Sequence, residues 1–222
     1  MNLRIKAVIF DMDGVLIESE YLWRRAMIAG FNEWGMALTE DDCRKTMGMR
    51  FNEVIRLWLK HFQLESSLAP QIEIRVIALL LEYIDEEGTF IEGIPELIHW
   101  CKANHMKLGL ATSSSHQLME AVLKKLQLSV TFDALCSAEF LKYAKPHPEV
   151  FLNCAEKLGL EASSCMVIED SLNGVISAKA AQMQVVAVPD DAHADLRGFA
   201  LADYQFKKMD EVLALFKTLI KE

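Results

Sequence analysis

Two rhythms divide this chain. Residues 6–10 form a short unbroken apolar run that stops at Asp11, and runs of the same kind recur at residues 107–112, 165–169 and 184–188. Such runs suit strands buried on both faces of a parallel sheet. Between the first run and the second the period becomes helical. Phe51, Ile55, Trp58 and Phe62 fall on one helical face, and Ile72, Val76, Leu79, Leu80 and Tyr83 on another. Thr39-Glu-Asp-Asp42 offers an N-cap followed by an acidic first turn. Residues 20–88 therefore read as almost wholly helical. From about residue 90 strands alternate with helices. Pro95 suits a first helical turn, Ser113-Ser-Ser115 caps a helix through Leu126, residues 132–136 make a short strand, and Pro148 opens a helix reaching Leu158. The pattern predicts an α/β fold with a parallel-sheet core of residues 1–17 and 91–222. A small helical cap domain, residues 18–90, is inserted after the first strand, with hinges near residues 17–19 and 87–92.

Composition narrows the setting without changing that picture. An apolar fraction of 52% and a charged fraction of 25% over 222 residues describe an ordinary globular chain. The net charge of −9 disfavours nucleic acid and anionic membrane as partners. No apolar stretch approaches the roughly 18 residues of a membrane helix. The amino-terminal run is broken by Asp11 and lacks a small-residue cleavage site, so it does not read as a signal peptide. Cys43, Cys101, Cys136, Cys154 and Cys165 are scattered and form no Cys-x-x-Cys pair, which favours free thiols in a reducing cytoplasm.

The chemistry begins where the first run ends. Alternation along the strand puts Asp11 and Asp13 on one side, and two carboxylates held that close need a cation or a shared proton. Gly14 permits a tight turn directly after them. Open α/β sheets place ligands at such strand ends. Three later segments add to this one. Leu110-Ala-Thr112-Ser113 presents a hydroxyl at a helix start, a natural phosphate-binding combination. Lys145-Pro-His-Pro148 supplies a cation before another helix, and Glu169-Asp170 repeats the acidic strand end. Each alone admits a plainer reading as a solvated acid, a cap or a surface lysine.

The string Asp11-Met-Asp13-Gly14-Val-Leu-Ile-Glu-Ser19-Glu20 resembles the first motif of the haloacid dehalogenase superfamily, and all four segments follow in that family's order. The resemblance covers essentially the whole chain and implies a Rossmann-like core with a cap. It implies Asp11 as nucleophile and Asp13 as general acid/base, with Thr112, Lys145 and the Ser113 amide holding the transferring phosphoryl group. Asp170 would ligate Mg²⁺ with Asp11 and the Asp13 carbonyl, and Glu169 would support the metal directly or through water. The physics is consistent, since a carboxylate attacking a phosphate dianion needs cations to offset like-charge repulsion.

Within the superfamily the chain looks like the β-phosphoglucomutase subfamily. Those mutases carry a cap His after the first motif, where this chain has Trp23. Ser19-Glu20-Tyr-Leu-Trp23, Gly48-Met-Arg50 and Ser137-Ala-Glu139 instead look like hexose and hexitol phosphate phosphatases. The expected activity is therefore Mg²⁺-dependent hydrolysis of small phosphate esters by a cytoplasmic monomer. The alternatives are a phosphomutase and a non-catalytic phosphosugar sensor. Glu20 would accept sugar hydroxyls, Trp23 would stack on an apolar sugar face, and Arg50 would hold the sugar or pair cap with core.

Overall fold

Every residue of β1 (Ala7–Phe10) is buried, and the strand lies inside a six-stranded, wholly parallel sheet. The computed structural model describes residues 5–190 and 197–219, so residues 1–4, 191–196 and 220–222 of the expected core range lie outside the described residues. The other strands are β2 (Lys107–Thr112), β3 (Ala134–Ser137), β4 (Cys165–Glu169), β5 (Gln184–Ala187) and β6 (Tyr204–Gln205), in the order β3-β2-β1-β4-β5-β6. The order reverses at β1, which has β2 on one side and β4 on the other. Phe10 is level with Leu110 of β2 and Ile168 of β4, so the three strands release their chains at one height. This is the switch-point crevice in which such sheets hold ligands.

Helices α1 (Glu20–Asn32), α2 (Glu40–Arg44), α3 (Phe51–His61) and α4 (Ala69–Glu87) all lie between β1 and β2 in sequence. Thr39 caps α2 through a complete capping box with Asp42. The sheet is then covered by α5 (Ile94–Ala103), α6 (His116–Lys125), α7 (Glu149–Leu158), α8 (Leu172–Ala180) and α9 (Met209–Leu219). Ala7 and Ile9 face a cluster with Phe151 of α7 and Val175 of α8. Val8 and Phe10 face a second cluster that joins Leu97, Met119 and Phe216 to Leu22, Ile55 and Val76 of the inserted helices. The insert is thus continuous with the apolar core. Its two chain crossings lie side by side: the Glu18 amide donates to the Thr89 carbonyl at 3.0 Å, and the Ile91 amide to the Leu16 carbonyl at 3.1 Å.

The strand expected from residue 132 starts at Ala134. Asp133 instead ties off the edge of β2, its carboxylate and its amide both pairing with Leu108. Helices α8 and α9 and the two-residue strand β6 were not anticipated. Among the described residues no helix is long and apolar enough to cross a membrane.

Candidate active site

Asp11 is the first residue beyond β1, and its amide still donates to the Ile168 carbonyl of β4 at 3.0 Å. The carboxylate is therefore carried on a stiff strand end. Lys145, between β3 and α7, reaches it from the other side. Its Nζ donates to Asp11 Oδ1 at 2.8 Å, to Glu169 Oε1 at 2.6 Å and to the Ala111 carbonyl at 3.1 Å. A buried ammonium is tolerable only with such partners. Burial opposes its charge, but Asp11 and Glu169 outweigh burial and hold the proton more firmly than on a free lysine.

Asp11, Glu169 and Asp170 are all buried, and each offers an oxygen within 4.8 Å of the others. One lysine cannot neutralise three carboxylates. Burial chiefly, with Glu169 and Asp13 adding and Lys145 opposing, pushes the Asp11 carboxyl up to about 8. Burial, then Glu169, Glu20 and Asp11, raises Asp170 well above the usual range. A hard divalent cation on oxygen donors answers this imbalance, so the residues fit a metal. Gly14 is required beside it: its φ is +72°, and a Cβ there would lie 2.1 Å from Asp170 Oδ2.

The Asp13 side chain is not part of this group, and the metal contact expected of Asp13 is its carbonyl. The side chain of Asp13 accepts from Ser19 Oγ at 2.6 Å and Trp23 Nε1 at 2.9 Å on one oxygen, and from Ser114 Oγ at 2.6 Å on the other. It still acts electrostatically on Asp11 and lines one cavity with it. Trp23 lines that cavity as well. Its indole N–H is committed to Asp13, and its ring packs 5.3 Å from that of Phe51. Ser19, at the start of α1, makes no side-chain capping bond because its hydroxyl serves Asp13.

A cavity of about 120 Å³, room for several waters, opens in front of these groups. Asp11, Asp13, Thr112, Lys145 and Asp170 line its core side, and Glu20, Trp23, Arg50 and Asn52 its helical side. Thr112 is buried and its hydroxyl accepts the Ser114 amide at 3.0 Å. Arg50 Nε and Nη2, Asn52 Oδ1 and Ser113 Oγ are buried without any hydrogen-bond partner. At a cavity wall such atoms take water or a polar ligand as their partners, so the wall suits a polar ligand. Burial, then Asp13, pushes the Glu20 carboxyl up to about 7 against the pull of Arg24. Gly48 closes the seam: at φ +74°, a Cβ there would stand 2.7 Å from Ser171 Oγ, so the insert rests directly on the loop after β4.

The structure thus brings together Asp11, Asp13, Thr112, Ser113, Lys145 and Asp170 with Glu20, Trp23 and Arg50 around one cavity. Glu169 stays behind it, fully buried, bonded to Lys145 and to the Ser171 amide and hydroxyl. Sequence reasoning missed Ser19 and Ser114 as partners of Asp13, and Asn52 as a cavity residue. Serines beside motif segments were the one available signal for the first two.

The family model described as "Haloacid dehalogenase-like hydrolase" matches residues 8–188. Hexitol phosphatase B of Escherichia coli (strain K12) is 38% identical over 213 residues, covering 95% of this chain and 96% of that protein. The phosphorylated carbohydrates phosphatase of Thermotoga maritima is 31% identical over 220 residues, covering 97% of this chain and 100% of that one. A β-phosphoglucomutase from Clostridium difficile has the same fold, with a TM-score of 0.85 over 98% of both chains at 24% identity.

Proposed function

The chain belongs to the haloacid dehalogenase-like hydrolases and is a phosphoric monoester hydrolase, and from that premise we propose that it dephosphorylates hexose or hexitol phosphates through an aspartyl-phosphate on Asp11. The observation that carries this reading is Asp11 held at 2.8 Å by a buried Lys145 at the head of a cavity with unpaired polar walls. Asp11 attacks the phosphorus, and the ester oxygen leaves as an alcohol. Lys145, Thr112 and the Ser113 amide hold the phosphoryl oxygens. Asp13, oriented by three donors, protonates the leaving oxygen and then takes a proton from the water that hydrolyses the acyl phosphate. Mg²⁺, held by Asp11 and Asp170 with Glu169 behind them, would offset the repulsion between carboxylate and phosphate dianion. Residues 18–90 act as a cap that excludes stray water and reads the leaving group.

The mutase fold likeness raises phosphoryl return to a second sugar hydroxyl as the competing fate. Trp23 argues for water, because an indole N–H donates but cannot accept the proton of an incoming hydroxyl. Supplying β-glucose 1-phosphate with a bisphosphate activator tests this: phosphate release should exceed formation of glucose 6-phosphate, and the reverse order would establish the mutase. For substrate, a panel of phosphorylated metabolites should rank hexose and hexitol phosphates, 2-deoxyglucose 6-phosphate among them, above nucleotides and phosphoglycolate. A panel led by either of the latter rejects the sugar assignment.

A further inference from the structure

The cavity has a second charged feature that phosphoryl transfer does not use. Glu73, at the solvent edge of α4, and Glu139, half-buried just after β3, both line it, one on the insert and the other on the core. Glu139 is fixed in place, accepting from the His116 amide at 2.9 Å and lying 2.8 Å from His116 Nδ1. Glu73 has no such anchor among the described contacts, and Arg56 is the cation that acts on it. Burial and then Glu139 raise the Glu73 carboxyl above its ordinary value, so the two acids sense each other across the seam. The unpaired atoms of Arg50, Asn52 and Ser113 line the same cavity and supply both donors and an acceptor.

We propose that Glu73 and Glu139 form an anionic rim that makes the site selective for phosphomonoesters whose far end is neutral and polyhydroxylated. The inference rests on the phosphatase reading and refines it. A hydroxylated tail satisfies Arg50, Asn52 and Ser113 and can also donate to the two carboxylates. A tail with a second phosphate or a carboxylate meets two like charges at a cap–core seam, where water screens them less than at an open surface. Arg50 alone would select the opposite way, towards a second anion, so the rim and the arginine predict different substrates.

The test compares a hexose 6-phosphate with the matching 1,6-bisphosphate and with 6-phosphogluconate, each referred to p-nitrophenyl phosphate on the same protein. The neutral-ended ester should lead in the wild type. In Glu73→Gln that lead should shrink by about two- to fivefold, the size of one partly screened charge, and should do so through KM. Added salt should narrow the wild-type lead more than the variant's, in which Glu139 alone remains. A lead unchanged by Glu73→Gln, or a wild type that prefers the bisphosphate, overturns the rim. Equilibrium binding of the same three compounds to Asp11→Asn and to Asp11→Asn/Glu73→Gln separates the two levels. If no ester releases phosphate, the phosphatase reading fails, while the binding preference and its loss on Glu73→Gln still decide the rim.

Discussion

The two walls of the cavity are built on opposite principles. On the core side Lys145 finds three acceptors, Glu169 three donors, and Asp13 three donors of its own. On the cap side Arg50 and Asn52 carry buried polar atoms with no partner, a state that Ser113 Oγ shares on the core side. A saturated wall is preorganised: its dipoles are aimed before any ligand arrives and need no reorganisation in the transition state. An unsaturated wall leaves polar atoms for water or a ligand to pair, so it discriminates among ligands by how well they replace that water. On the proposed reading, chemistry falls to the strand ends and selection mainly to the helices.

The contrast is broken most severely by removing Lys145. Lys145→Ala leaves Asp11 and Glu169 buried without their cation, a loss of about 3–5 kcal/mol for a severed buried pair. Thermal melts should show a large drop in Tm, and phosphate release should disappear. A variant as stable as the wild type would mean that the buried charges are compensated elsewhere.

Metal removal comes next. The raised carboxyls of Asp11, from 3.8 to about 8, and of Asp170 mean that the metal-free native state binds more protons than the unfolded chain across that window. Their contribution to its stability is therefore greatest at low pH and is lost as pH rises through about 8. A divalent cation favours the ionised carboxylates and reverses the trend. Mg²⁺ should raise Tm more at pH 8 than at pH 5, and chelator should stop turnover. A larger gain at pH 5 would contradict the acidic cluster as the binding site.

Smaller effects sharpen the comparison. Trp23→Phe removes one of three donors to Asp13 and keeps the ring against Phe51. A hydrogen bond to a charged group is worth about 1.5–3 kcal/mol, so kcat should fall roughly 10- to 100-fold with KM little changed. A pure KM effect would return Trp23 to the sugar-stacking role. Arg50→Ala, on the unsaturated wall, should do the converse, raising KM for a hexose phosphate about tenfold and for p-nitrophenyl phosphate far less. Equal losses on the two substrates would make Arg50 structural.

How much of this could be read from sequence follows from range. Asp11, Thr112 and Asp170 sit at the ends of apolar runs, and β4 falls at residues 165–169 as the pattern required. The aim of Asp13 could not be read, because Ser114, which holds one of its oxygens, is 101 residues away and arrives only through the pairing of β1 with β2. Helix α8 left no periodic trace, since Gly174, Val175, Ser177 and Ala178 are small and buried, with little amphipathic contrast among them. β6 is two residues long and cannot show an alternation. In α9, Met209, Val212 and Phe216 did carry a helical spacing that could have been used.

The paired crossings at Ile17 and Phe90 have one more consequence, for how such a protein can change over generations. A segment that leaves and re-enters its host at adjacent, hydrogen-bonded points can be exchanged for another of different length without moving either end. What cannot change freely is its underside, because Leu22, Ile55 and Val76 share one apolar cluster with Val8 and Phe10. Deleting the segment would leave a greasy scar on the sheet, whereas a replacement lid would have to offer the same apolar footprint and also the two donors, Ser19 and Trp23, that this one lends to Asp13. The bridged crossing is a socket, and whatever is plugged into it must fit both the apolar face and the Asp13 side chain.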